Sequence, residues 1–103
     1  KDISKSGISG PIFGHVGDGN FHAILLVDPK NPKEMKAAKS VANKMANLAI
    51  SLGGTCTGEH GIGIGKLDFM QAQLGHAWNV MGSIKEALDP SNIMNPGKVI
   101  KRN

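Results

Sequence analysis

Apolar side chains recur at Met35, Ala38, Val41, Ala42, Met45, Leu48, Ala49 and Leu52. Steps of three and four place them on one face of a helix. Asn31 stands at the N-cap, Pro32 at the first helical position, and Glu34 three residues after Asn31, the arrangement of a capping box. Gly53 fits the stop. Two shorter runs, Pro11 to Val16 and Asn20 to Val27, have strand character and flank Gly17-Asp18-Gly19. Asp-Gly favours a two-residue hairpin turn with positive φ at both positions. With Asp18 and Gly19 as that turn, Val16 faces Phe21 and His15 faces His22. Gly54 to Gly58 reads as a short further strand. Lys66 to Leu74 predicts a helix with Leu67, Met70 and Leu74 on one face. Ala77 to Leu88 predicts another, aligning Trp78, Met81, Ile84 and Leu88, and Asp89-Pro90 ends it. Asn95-Pro96-Gly97 is a turn, and residues 1–10, polar and glycine-bearing, form a connecting segment. The expected fold class is therefore α+β: an antiparallel β-hairpin plus a short strand, packed with about three helices.

Composition narrows the class. Apolar residues are 40% and charged residues 19% of the 103 residues, and the mean hydropathy is −0.15. These suit a single soluble globular domain. No apolar run is long enough for a transmembrane segment, and no signal-peptide pattern is visible. The single Cys56 excludes an internal disulfide framework and a cysteine zinc cluster. One reduced cysteine and no export signal fit a cytoplasmic or mitochondrial-matrix setting. The first residue is Lys1, which fits a processed chain or a fragment of a longer protein. The net charge of +4 raises nucleic acid as a partner. The lysines are scattered, and Lys30, Lys33, Lys36, Lys39 and Lys44 lie largely on the polar side of the long helix; aromatic residues are 4%. A solvated helix face explains this better, and nucleic acid is not expected.

The chemistry gathers at two places. Residues opposed across a hairpin share a face, with Cβ atoms about 4.5–5.5 Å apart. That pairing would bring His15 and His22 to one cation, with Phe13 and Ile24 on the same face to exclude water. The other reading is a pair of ordinary histidines on a half-buried sheet. Gly58-Glu59-His60-Gly61 is the second place. Glu59 could complete a His₂Glu set with open positions, and His60 could act as a general base. Adjacent residues point apart, so one would face the metal and the other the substrate. An exposed loop with an incidental Glu-His pair is the alternative. His76 reads as a surface or cap residue, and Cys56 as a small packing residue. The run Gly58 to Lys66 fails the phosphate-loop pattern, because His60 stands where Gly is needed and Leu67 where Ser or Thr is needed.

Three stretches together resemble one family. Phe13-Gly14-His15-Val16-Gly17-Asp18-Gly19-Asn20-Phe21-His22 is similar to the metal-binding hairpin of the FAD-linked oxidases. Gly54-Thr55-Cys56-Thr57-Gly58-Glu59-His60-Gly61-Ile62-Gly63 resembles their second signature. Leu88-Asp89-Pro90 and Ile93-Met94-Asn95-Pro96-Gly97-Lys98 resemble their C-terminal end. The nearest group is the D-lactate dehydrogenase and glycolate oxidase flavoproteins. The resemblance implies an FAD-binding domain of the vanillyl-alcohol oxidase type, absent here. It makes residues 11–103 the C-terminal part of the α+β substrate domain. It implies His15, His22 and Glu59 as ligands of a divalent metal, with zinc or manganese expected and iron also suited. It further implies His60 as the base that takes the substrate hydroxyl proton, and Asn95 in a tail that folds toward the flavin. The expected parent is an FAD-dependent, metal-assisted oxidoreductase acting on a small D-2-hydroxy acid. Its partner is the FAD-binding domain of the same chain. Substrate-carboxylate arginines are missing, since Arg102 is the only arginine and lies outside the motifs. The alternative is an isolated metal-binding or assembly module. Apolar surface left by a missing domain would favour a homodimer.

Overall fold

A computed structural model describes residues 2–101, with the backbone alone for Asp2. The elements are α1 (Asp2–Ser6), β1 (Ile12–Phe13), β2 (His22–Ala23), α2 (Pro32–Ser51), α3 (Met70–Leu74) and α4 (His76–Leu88). The chain divides into two units between Ala49 and Ile50. The mixed α+β class is as expected. The segment anticipated as a connector carries the one-turn helix α1, in which Ser6 Oγ donates to the Ile3 carbonyl at 2.7 Å.

In the first unit the hairpin forms in a different register. Ile12 pairs with Ala23 and Phe13 with His22. The same register continues outward, because Ile24 N–H donates to Pro11 O at 3.0 Å and Leu26 N–H to Ser9 O at 2.9 Å. His22 therefore opposes Phe13, not His15. The loop explains the shift. His15 O accepts from Asp18 N–H at 2.9 Å and Asn20 N–H at 3.2 Å, and Val16–Asp18 forms a right-handed 3-10 turn. Only Gly19 takes the left-handed conformation, with φ 70°; a two-residue primed turn would require it of Asp18 as well. Gly14, with φ +151°, lets the chain pass close to Asn20: a Cβ here would lie 2.6 Å from Asn20 O. The ladder thus closes at Phe13–His22, and residues 14–21 are loop.

Helix α2 starts as its sequence demands. Asn31 Oδ1 accepts from Lys33 N–H at 3.1 Å and Glu34 N–H at 3.4 Å. Glu34 replies through its side chain, accepting from Asn31 Nδ2 and from Asp28 N–H, each at 2.9 Å. Gly53, with φ +80°, ends the helix by donating to Ile50 O. Ile8 and Val41 are the buried apolar side chains of this unit.

In the second unit residues 54–58, expected as a strand, are irregular. Their hydrogen bonds go to side chains instead of to a neighbouring strand. Gln73 Oε1 accepts from Cys56 N–H at 3.0 Å, and Gln73 Nε2 donates to Thr55 Oγ1 at 2.8 Å. The expected Lys66–Leu74 helix begins as a 3-10 turn over Leu67–Phe69 and continues as α3. Cys56, Leu67 and Met70 are buried around it, so Cys56 is the packing residue anticipated. His76 opens α4 and is exposed.

Candidate functional site

The first group of candidate ligands sits on the hairpin. His22 lies in β2, half-buried, and its ring stacks on Phe13 with centroids 5.2 Å apart and planes inclined at 28°. Such a stack restricts the plane of the imidazole. His15 lies in the loop, exposed, just before the 3-10 turn. The backbone around it is tightly tied, because its carbonyl holds two N–H donors. The cross-strand histidine pair expected from the Asp-Gly turn is not formed; the aromatic Phe13 occupies that place.

Glu59 and His60 sit in the second unit, on a loop shaped by glycines. Thr57 Oγ1 donates to Gly61 O at 3.2 Å and closes this loop, and Gly61 has φ +72°. Lys66 Nζ donates to Cys56 O at 2.6 Å and secures the incoming strand of chain. The two side chains do not point apart as neighbours were expected to: His60 Nε2 lies 3.4 Å from Glu59 Oε1. Both are open, with side-chain exposures of 76% for His60 and 43% for Glu59. A carboxylate and an imidazole in contact at the surface can bind a cation through oxygen and exchange a proton through nitrogen.

Asn95 lies in the tail after α4, exposed, with a left-handed φ of 47°. Its turn is closed by Lys98 N–H donating to Asn95 O at 3.3 Å. Asp89 sets the path of this tail. Its Oδ1 accepts from Ile93 N–H at 3.0 Å and its Oδ2 from Met94 N–H at 2.9 Å, while Lys85 Nζ donates to the same carboxylate. Lys85 also donates to Met94 O at 2.7 Å. The Lys85 ammonium first, then the two backbone donors, hold the Asp89 carboxyl down to about 2 against the opposing effect of burial. The sequence offered Asp89 as a helix stop before proline; the role of its side chain in holding the tail had no local signal. Nor did Gln73 and Lys66, which act from more than nine residues away on the glutamate loop.

Residues 1–99 match the family described as FAD linked oxidases, C-terminal domain. The chain belongs to that family. It is 46% identical over 101 residues to "Probable D-lactate dehydrogenase, mitochondrial" of Danio rerio, covering 97% of this chain and 20% of that protein. It is 42% identical over 101 residues to "D-lactate dehydrogenase [cytochrome], mitochondrial" of Arabidopsis thaliana, covering 97% and 18%. Against "Glycolate oxidase subunit GlcD" of Bacillus subtilis the identity is 40% over 100 residues, covering 96% and 21%. The chain thus spans about a fifth of the length of these relatives. No helix among the described residues is long and apolar enough to cross a membrane.

Proposed function

We propose that this chain is the metal- and proton-handling end of an FAD-dependent oxidoreductase that converts a small D-2-hydroxy acid, of the D-lactate or glycolate class, to its 2-oxo acid. The observation that carries the reading is the exposed Glu59–His60 contact at 3.4 Å, on a loop within a family match spanning residues 1–99. The names of the relatives support the substrate class. The mitochondrial names of the Danio rerio and Arabidopsis thaliana proteins support a mitochondrial location.

The donors fit a divalent cation. Two imidazoles and a carboxylate make an open His₂Glu set, and His15 and Glu59 are exposed while His22 is half-buried. In this reading His15, His22 and Glu59 hold the metal, zinc or manganese by ligand type. When bound, the metal would polarise the oxygens of the hydroxy acid, and FAD, held mainly by a separate domain of the parent, would take the α-hydrogen together with its two electrons. His60 takes the proton of the substrate hydroxyl. Glu59 holds the imidazole in place from one side, and the glycines about the pair leave room for substrate. The ring of Phe13 restricts the plane of the His22 imidazole before a ligand arrives. Asn95, on its tight turn, would lie in the tail that folds toward the flavin.

The test uses the full-length flavoprotein. His60→Ala should abolish bleaching of the flavin by the hydroxy acid and leave the metal content unchanged. His22→Ala should lower the metal content. Retained turnover in His60→Ala would remove His60 as the base. A protein of full length that binds metal but never flavin would favour a binding module without catalysis.

A further inference from the structure

Val99 occupies an unusual turn. Its φ is +65°, and Ile100 N–H donates across it to Lys98 O at 2.7 Å. This is a γ-turn of the positive-φ kind, rare for any residue and most strained for a β-branched one. Such a turn persists only where its surroundings hold it. Three contacts do so here. Val99 N–H donates to Gly63 O at 2.8 Å, and Val99 O accepts from Trp78 Nε1 at 2.9 Å. Ile100 lies over Gly82, one helical turn beyond Trp78, where an added Cβ would come 3.7 Å from Ile100 Cγ2. The turn therefore joins α4, through the indole, to the carbonyl of Gly63. Gly63 is three residues beyond His60, in a stretch that also contains Gly61 and Gly65 and has little stiffness of its own. A reacting imidazole displaced by about 1 Å loses much of its rate advantage, so such a stretch needs an external anchor.

We propose that Trp78 is a positioning residue: through the strained turn at Val99 it anchors the Gly61–Gly65 segment and thereby fixes the placement of His60. The proposal rests on the reading of His60 as proton acceptor. Trp78→Phe keeps the ring and deletes the N–H donor. In the full-length holoenzyme this change should lower kcat by about tenfold, the scale of one hydrogen bond, with KM little altered. Amide exchange at Val99 and across residues 60–65 should rise by a comparable factor. Adding Val99→Gly to Trp78→Phe should restore most of the rate, because glycine adopts this φ without strain. Unchanged amide exchange in Trp78→Phe overturns the proposal, as does faster exchange with unaltered kcat, or no recovery in the double variant. His60→Gln is measured alongside. If it turns over normally, the proton-acceptor reading fails; exchange then decides the anchor alone, faster exchange sustaining it and unchanged exchange overturning it.

Discussion

Asp89 is the charged residue sunk into the fold among the described residues, 5% exposed, and its carboxyl sits near 2 against an ordinary 3.8. Between those values the unfolded chain binds more protons than the folded one, so stability rises with pH across the interval. The contribution is fully present above about pH 4 and is lost as pH falls through 2. Urea midpoints taken from pH 5 to pH 2 should therefore fall steeply for the parent sequence and less steeply for Asp89→Asn. Equal slopes would mean that the carboxylate does not secure Ile93 and Met94. Gly14 makes a sharper case. A methyl group there would sit 2.6 Å from Asn20 O and from Phe21 Cα, on backbone with φ +151°. Gly14→Ala should cost more than about 2 kcal/mol, measured by chemical denaturation; a loss under a few tenths would show that the loop passes less closely than described. Neither role was legible in the sequence. A buried carboxylate that caps a tail four residues on, and a glycine needed for a close crossing, leave no periodic mark.

At the scale of elements, legibility follows locality. Helix α2 was readable to within a residue because its start, face and stop are each set by neighbours: Asn31 and Glu34, the three-four spacing, and Gly53. The hairpin was readable as a hairpin but not in its register. Asp-Gly permits several turns, and the choice was made by Gly14 meeting Asn20 and Phe21, a contact between two sides of the loop. The strand expected at 54–58 failed for a related reason, because Gln73 on α3 takes the Cys56 N–H and Lys66 takes the Cys56 carbonyl, groups that a neighbouring strand would have paired with. The residues of the candidate site were named by motif, and the cross-strand pairing inferred for the two histidines is replaced by His22 opposite Phe13. The cap gives a clean measurement. Asn31→Ala removes the acceptor of two N–H groups and should cost about 1 kcal/mol, a fall in Tm of roughly 4–8 °C for a domain of this size. A shift under one degree would show that Glu34 and water compensate for it.

For the whole molecule the balance of apolar surface is the governing fact. Among the described residues the buried apolar side chains are Ile8, Val41, Cys56, Leu67 and Met70, whereas Phe13, Phe21, Leu52, Leu88 and Ile93 are exposed, the last three at 78%. Met81, Ile84 and Leu88, on the stripe that the spacing of α4 predicted, are all exposed, and the less exposed side of that helix carries Trp78, Gly82, Lys85 and, just beyond its end, Asp89. A large apolar side chain gains about 1.5–3 kcal/mol on burial, and a core of so few members leaves little margin over chain entropy. The chain on its own should bind a hydrophobic dye at neutral pH. In the full-length protein the same leucines, phenylalanines and isoleucine should be shielded from oxidative footprinting. An isolated chain that binds no dye would show that its own core suffices, and that its exposed apolar residues are a tolerated surface, not one made to be covered.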